Sequence, residues 1–123
     1  MELEYASDKV KLQCTSVKAA KKLFGGYIML ATSLLARVHA LESADTIKDI
    51  IVQPNFYFHK LVNKKGNNLE GYFAIDVKAR RESWRIILQP LDVNKCPYEP
   101  CNIDEIAEAV RIVEIEEVSK HYE

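Results

Sequence analysis

GYFAIDVKARRESWRIILQP, residues 71–90, decides the fold. In its first part Phe73, Ile75 and Val77 alternate with Tyr72, Ala74 and Asp76; in its second, Trp84, Ile86 and Leu88 alternate with Arg85, Ile87 and Gln89. A period of two over aromatic and β-branched residues marks strands, whose successive side chains point to opposite faces. The alternation lapses at Lys78 to Glu82, which joins the two strands, and Pro90 is expected to end the second.

Upstream, Phe56 to Val62 predicts another strand, separated from the first by the turn chemistry of Lys64 to Asn68. Pro54 blocks the short helical turn ADTIKDII at 44–51 and resets the chain to extended structure. Before that turn the period is helical. Thr15 or Ser16 can cap a helix carrying Val17, Ala20 and Leu23 or Phe24, which Gly25 and Gly26 end. Ile28, Ala31, Leu35 and Val38, flanked by Leu34 and Leu41, make a second apolar stripe ending near Glu42. ELEYA at 2–6 alternates and predicts a first strand. Downstream, residues 91–104 carry prolines and no period. Ile103 to Ala109 suggests a short helix, and Val110 to Val118 a last strand with Val113 and Ile115 opposite Glu114 and Glu116. A strand, a helical hairpin and a run of hairpin-linked strands predict one α+β domain over 1–123. Its sheet of four to five strands is mainly antiparallel, with the helices on one face.

Composition limits the function. With 17 Lys and Arg against 18 Asp and Glu, the net charge of −1 disfavours a protein that coats nucleic acid by charge alone. The sum hides a dipole. Residues 59–85 hold seven basic side chains against three acidic ones, and residues 99–123 hold two against eight. Both blocks are also what two solvated faces would look like. No window approaches the roughly 18 unbroken apolar residues of a spanning helix. The start, with Glu2, Glu4 and Asp8, lacks the basic cap and apolar run of an export signal, so a cytoplasmic protein with no membrane partner is expected. Cys14, Cys96 and Cys101 read as free thiols. CPYEPC at 96–101 lacks paired metal-ligand spacing, which leaves a metal site as the weaker reading there.

The candidate chemistry lies in the basic block. His59 stands between Phe58 and Lys60, and a lone histidine on a strand is ordinarily a packing residue. Its company is what matters: Lys60, Lys64 and Lys65 follow it, and Arg80, Arg81 and Arg85 lie on the succeeding strands. A group that titrates near neutrality moves protons, and fixed cations stabilise charge developing on phosphate oxygens, so such a set suits phosphodiester cleavage without a metal or cofactor. Ser119, Lys120, His121 and Tyr122 close the chain after a strand of the same sheet and could stand opposite His59. No Gly-rich phosphate loop, dinucleotide fingerprint, GxSxG elbow or HExxH is present, and Asp76 and Glu82 sit among basic residues, which favours ion pairs over metal binding.

The segment FHKLVNKKGNNLEGYFAIDVKARRESWRIIL, residues 58–88, resembles the core of HigB-type toxins of the RelE/ParE superfamily, and VEIEEVSKHYE at 113–123 is similar to that family's terminal strand with its closing His and Tyr. The helical hairpin closed by LESADTIKDI also fits, so the resemblance spans nearly the whole chain. It implies the toxin of a type II toxin–antitoxin module, neutralised by a cognate helix-turn-helix antitoxin. Free toxin of this kind cuts mRNA in the ribosomal A site by attack of the ribose 2′-OH, with no metal. Carried onto this chain, the resemblance makes His59 the general base or acid and Arg85 the holder of the scissile phosphate. His121 and Tyr122 become acid/base and stacking partners, and Lys60, Lys64, Lys65, Arg80 and Arg81 the RNA grip. The alternatives are a ParE-like poison that binds DNA gyrase, a decayed toxin kept as an interaction module, or a small binding domain whose charges are only solvated.

Overall fold

The computed structural model describes residues 1–62 and 68–120. The chain runs β1 (Glu2–Tyr5), α1 (Asp8–Thr15), α2 (Val17–Leu23), α3 (Ile28–Ser43), α4 (Lys48–Ile51), a 3-10 turn (Pro54–Phe56), β2 (His59–Lys60), β3 (Phe73–Asp76), β4 (Arg85–Leu91), α5 (Ile103–Ile106) and β5 (Ile112–Ser119). This is the expected α+β class, with a mixed sheet in the order β1-β5-β4-β3-β2. The pairs β2–β3, β3–β4 and β4–β5 are antiparallel, whereas β1 lies parallel to β5 with Leu3 opposite Val113.

The helices form where capping chemistry meets an apolar stripe. Ser7 caps α1 by accepting a hydrogen bond from Val10 N, and Ser16 caps α2 by accepting from Ala19 N, each at 3.2 Å. After α2, Gly25 and Gly26 take φ of +64° and +92°, values that a Cβ would strain, and turn the chain into α3. Leu30, Ala31, Leu34, Val38 and Leu41 bury one side of α3 against the sheet. There they meet Ile75, Val77, Ile86, Leu88, Ile115 and Val118, the inward members of the alternation. Each fully buried Ile or Leu contributes about 1.5–3 kcal/mol. Ile47, Ala107, Val110 and Val113 extend this core towards α4 and α5.

Several expectations need correction. Two helices were expected before the short turn; the structure has a third, α1, because Val10 and Cys14, four residues apart, bury one side of a helix that Ser7 caps. Leu34, not Leu35, is the buried member of the α3 stripe. Pro54 begins the 3-10 turn, a position where its missing N–H costs no bond, so extended structure starts only at His59 and the strand expected over Phe56 to Val62 shrinks to two residues. β4 continues through Pro90 to Leu91. The β3 register ends at Phe73 opposite Leu88, so Pro90 lies past the end of β3 and has no β3 residue opposite it to donate to. On the second sheet face Leu61, Ala74 and Ile87 form a small apolar cluster. The Lys64 to Asn68 turn lies, except for Asn68, outside the described residues.

Candidate functional site

The site forms where the 3-10 turn, β2 and the β3–β4 connection meet. Tyr57, directly after the 3-10 turn, takes the left-handed conformation with φ +50°, which costs a non-glycine residue of order 1–3 kcal/mol and persists only where surroundings hold it. Arg37 of α3 supplies much of that hold. Its guanidinium donates to the carbonyls of Asn55, Val77 and Lys78, each at 3.2 Å, and stacks 4.3 Å from the Phe56 ring centre. One side chain thereby ties the segment before Tyr57 to the end of β3.

The constraint brings three functional groups together. The Arg80 guanidinium lies 4.2 Å over the half-exposed Tyr57 ring, and that ring lies 5.0 Å from the imidazole of His59. His59 Nδ1 is 2.8 Å from the Tyr57 carbonyl oxygen. A carbonyl only accepts, so Nδ1 carries the hydrogen and donates it, which makes Nε2 the basic nitrogen of the neutral ring. Nε2 is sealed from solvent and, among the described residues, has no hydrogen-bond partner. A buried lone pair without a donor is an uncommon expense in a folded chain.

Beneath this group lies a buried ion pair. Asp76 Oδ1 is 3.2 Å from Arg85 Nε and 3.6 Å from a terminal nitrogen of Arg80. Asp76 is 1% exposed and Arg85 3%, while the Arg80 side chain is 42% exposed. The ion pairing expected of Asp76 is therefore present. The remaining Arg85 nitrogens donate to the carbonyls of Trp84 and Arg80, both at 2.9 Å, and of Glu82. Its guanidinium is enclosed and occupied by its own turn.

The expected set is thus only partly assembled. His59 and Arg80 meet through Tyr57; Lys60 and Arg81 are exposed on β2 and the β3–β4 connection. Arg85, expected to hold a phosphate from a strand next to His59, instead braces the connection from inside, and β3 separates it from β2. His121, Tyr122, Lys64 and Lys65 lie outside the described residues. Tyr57 and Arg37 were not anticipated. A Tyr following Pro-Asn-Phe carries no mark of a left-handed backbone, and Arg37 sits unremarkably beside the α3 stripe.

The Cys96–Cys101 loop folds back through a bridge between Leu91 and Pro97 and borders a cleft of about 350 Å³ with Glu70, Gly71 and Gln89. All three cysteines are free thiols, and among the described residues no group of three or more His, Cys, Asp or Glu is placed to hold a metal ion. Also among these residues, no helix is long and apolar enough to cross a membrane. No protein-family model, curated protein or solved structure matches the chain.

Proposed function

We propose that this chain is an mRNA endoribonuclease of the toxin type, acting with the ribosome by metal-independent attack of a ribose 2′-OH on the adjacent phosphate. The observation that carries the reading is the contact series Arg80–Tyr57–His59, which sets a fixed cation, an aromatic face and a basic nitrogen side by side. The resemblance of residues 58–88 to HigB-type toxins of the RelE/ParE superfamily supports it.

In this reading His59 Nε2 accepts the 2′-OH proton, with the Tyr57 carbonyl holding the ring and its tautomer. Arg80, rather than the enclosed Arg85, faces the phosphate and offsets the charge that grows on its oxygens. The Tyr57 ring stacks a neighbouring base. Because Nε2 is sealed, substrate reaches it only by displacing the chain that covers it. The oxygen of the 2′-OH forms a bond to phosphorus as the bond from phosphorus to the 5′ oxygen breaks, and that oxygen takes a proton from water, which yields a 2′,3′-cyclic phosphate and a free 5′-OH.

The test is induced expression of the protein and its His59→Ala and Arg80→Ala variants, with primer extension on translated messages. Cleavage within codons by the parent, and at least a hundredfold less by each variant, is the expected result. Intact message accompanied by DNA damage would instead identify a gyrase poison, and variants that cut as well as the parent would remove His59 and Arg80 from the chemistry.

A further inference from the structure

The N-terminal helices carry charge that the central basic block does not include. Residues 8–22 hold Lys9, Lys11, Lys18, Lys21 and Lys22 against Asp8, and all five lysines are exposed. On α2 the pattern is sharpest. Ala20 is buried and Ala19 and Leu23 half-buried, whereas Val17, Lys18, Lys21 and Lys22 are exposed on the opposite side. Lys18 stands three and four residues from Lys21 and Lys22, so like charges are neighbours on one turn, an arrangement that costs helix stability unless an anion meets it.

This face is continuous with the candidate site. Phe24, which ends α2, packs edge-on against Trp84 at 4.9 Å, and Lys120 lies 5.8 Å over the same Trp84 ring. Past the glycine turn, Tyr27 is half-exposed with Lys78 5.9 Å above its ring. The end of α2 therefore abuts the β3–β4 connection that bears Arg80 and Arg81. The acidic side chains on these segments are Asp8 and Glu82, and a Glu82 oxygen accepts from Ser83 N.

We infer that the outer face of α2, carrying Lys18, Lys21 and Lys22, is a second RNA-binding surface that grips the phosphate backbone of a folded RNA beside the site. Lysines presented as point charges without planar, bidentate partners suit backbone contact, which carries no sequence information. The inference rests on the endoribonuclease reading for the nature of the polyanion, and on the exposed lysines and the Phe24–Trp84 contact for its place. It divides the work: α2 supplies salt-sensitive affinity, and the Arg80–Tyr57–His59 group supplies the chemistry.

The experiment is fluorescence anisotropy with a labelled RNA stem-loop bearing a single-stranded tail, titrated across salt concentrations. The proteins are the parent, K18A/K21A/K22A, H59A and, as a control on another helix, K48A. Alanine favours helix, so the triple variant keeps its fold, which circular dichroism checks. At about 0.7–0.9 per phosphate released, the slope of log affinity against log salt should flatten by about 2–3 in the triple variant. Affinity near 100 mM salt should fall roughly tenfold or more, while K48A follows the parent. No RNA binding by the parent, or an unchanged slope in the triple variant, overturns the inference, as does loss of polyglutamate binding with the RNA slope intact. H59A that still cuts message in a translation extract defeats the catalytic assignment and leaves the slope result standing, so the two failures are distinguishable.

Discussion

Replacing Arg85 by Ala is expected to unfold the protein before it disables it. The structure supplies the magnitude. Arg85 is 3% exposed, its partner Asp76 1%, and its guanidinium serves one carboxylate and three carbonyls. Removing it leaves the Asp76 carboxylate enclosed with the partially exposed Arg80 3.6 Å away and the Arg37 charge within electrostatic reach. Breaking a buried pair from one side costs about 3–5 kcal/mol, a large part of the stability of a domain this size. With a urea dependence of about 1–3 kcal/mol per molar, the midpoint should fall by at least about 1 M. Trp84, the single tryptophan, sits beside Arg85 in the chain and reports the transition by fluorescence. Two comparisons isolate the cause. Arg80→Ala removes a half-exposed cation and should change stability by about 1 kcal/mol or less, and Asp76→Ala/Arg85→Ala should lose less than the two single losses added together, because neither charge is then orphaned. If Arg85→Ala melts with the parent yet no longer cuts RNA, the bracing role is refuted and Arg85 belongs with the substrate.

Other perturbations probe different parts of the fold. Burial, with repulsion from Glu116 and Glu4, raises the Glu114 carboxyl above its ordinary range, so the folded chain favours its protonated form. That preference stabilises the protein below the unfolded pKa and is lost as pH rises through the folded one; Glu114→Gln should therefore raise the urea midpoint at pH 7, and the gain should vanish by about pH 4. A gain that persists at pH 4 would contradict the assignment. Burial also pushes the Cys14 thiol up to about 12 and raises Cys101 less, while Cys96 is exposed. Iodoacetamide at pH 8 followed by peptide mass mapping should find Cys96 modified first and Cys14 only after denaturation. Ser16→Ala removes the α2 cap and should cost about 1 kcal/mol by urea melt, whereas Ser16→Asp should retain most of that stability.

Much of the fold could be read from alternation. Ile75, Val77, Ile86 and Leu88 repeat every second residue because a half-buried sheet requires it, and they are among the residues that share a core with the α3 stripe. Ser16 and the glycine pair marked the ends of α2 by chemistry that acts within four residues. What could not be read depends on contacts far apart in the chain. The parallel pairing of β1 with β5 joins residues about 110 positions apart, and nothing local distinguishes it. β2 is short because Phe56 turns in to meet Arg37, a contact spanning both helical and extended segments. At the site, the basic residue types were evident but their division of labour was not: Arg80 and Arg85 look alike in KARRESWR, and only the burial of Asp76 decides which is enclosed.

That division explains why an ion pair occupies the interior of a small domain. Two charges taken out of water regain little more than they lose, and apolar residues of the same volume would pack beside Leu61, Ala74 and Ile87 at no such cost. An apolar pair, however, could not hold Arg80. With Asp76 fixed by Arg85, the carboxylate presents a charge to the Arg80 guanidinium from below while the Tyr57 ring meets it from above. Arg85 also bonds the carbonyls of residues 80, 82 and 84, which sets the path of the connection from which Arg80 projects. The buried pair thus converts desolvation cost into the position of one exposed cation. The same logic applies to Tyr57, whose left-handed backbone is maintained by Arg37 and places its carbonyl against His59. Arg80 and His59, the two groups that face a substrate in the proposed reaction, are each positioned by an arginine that does not.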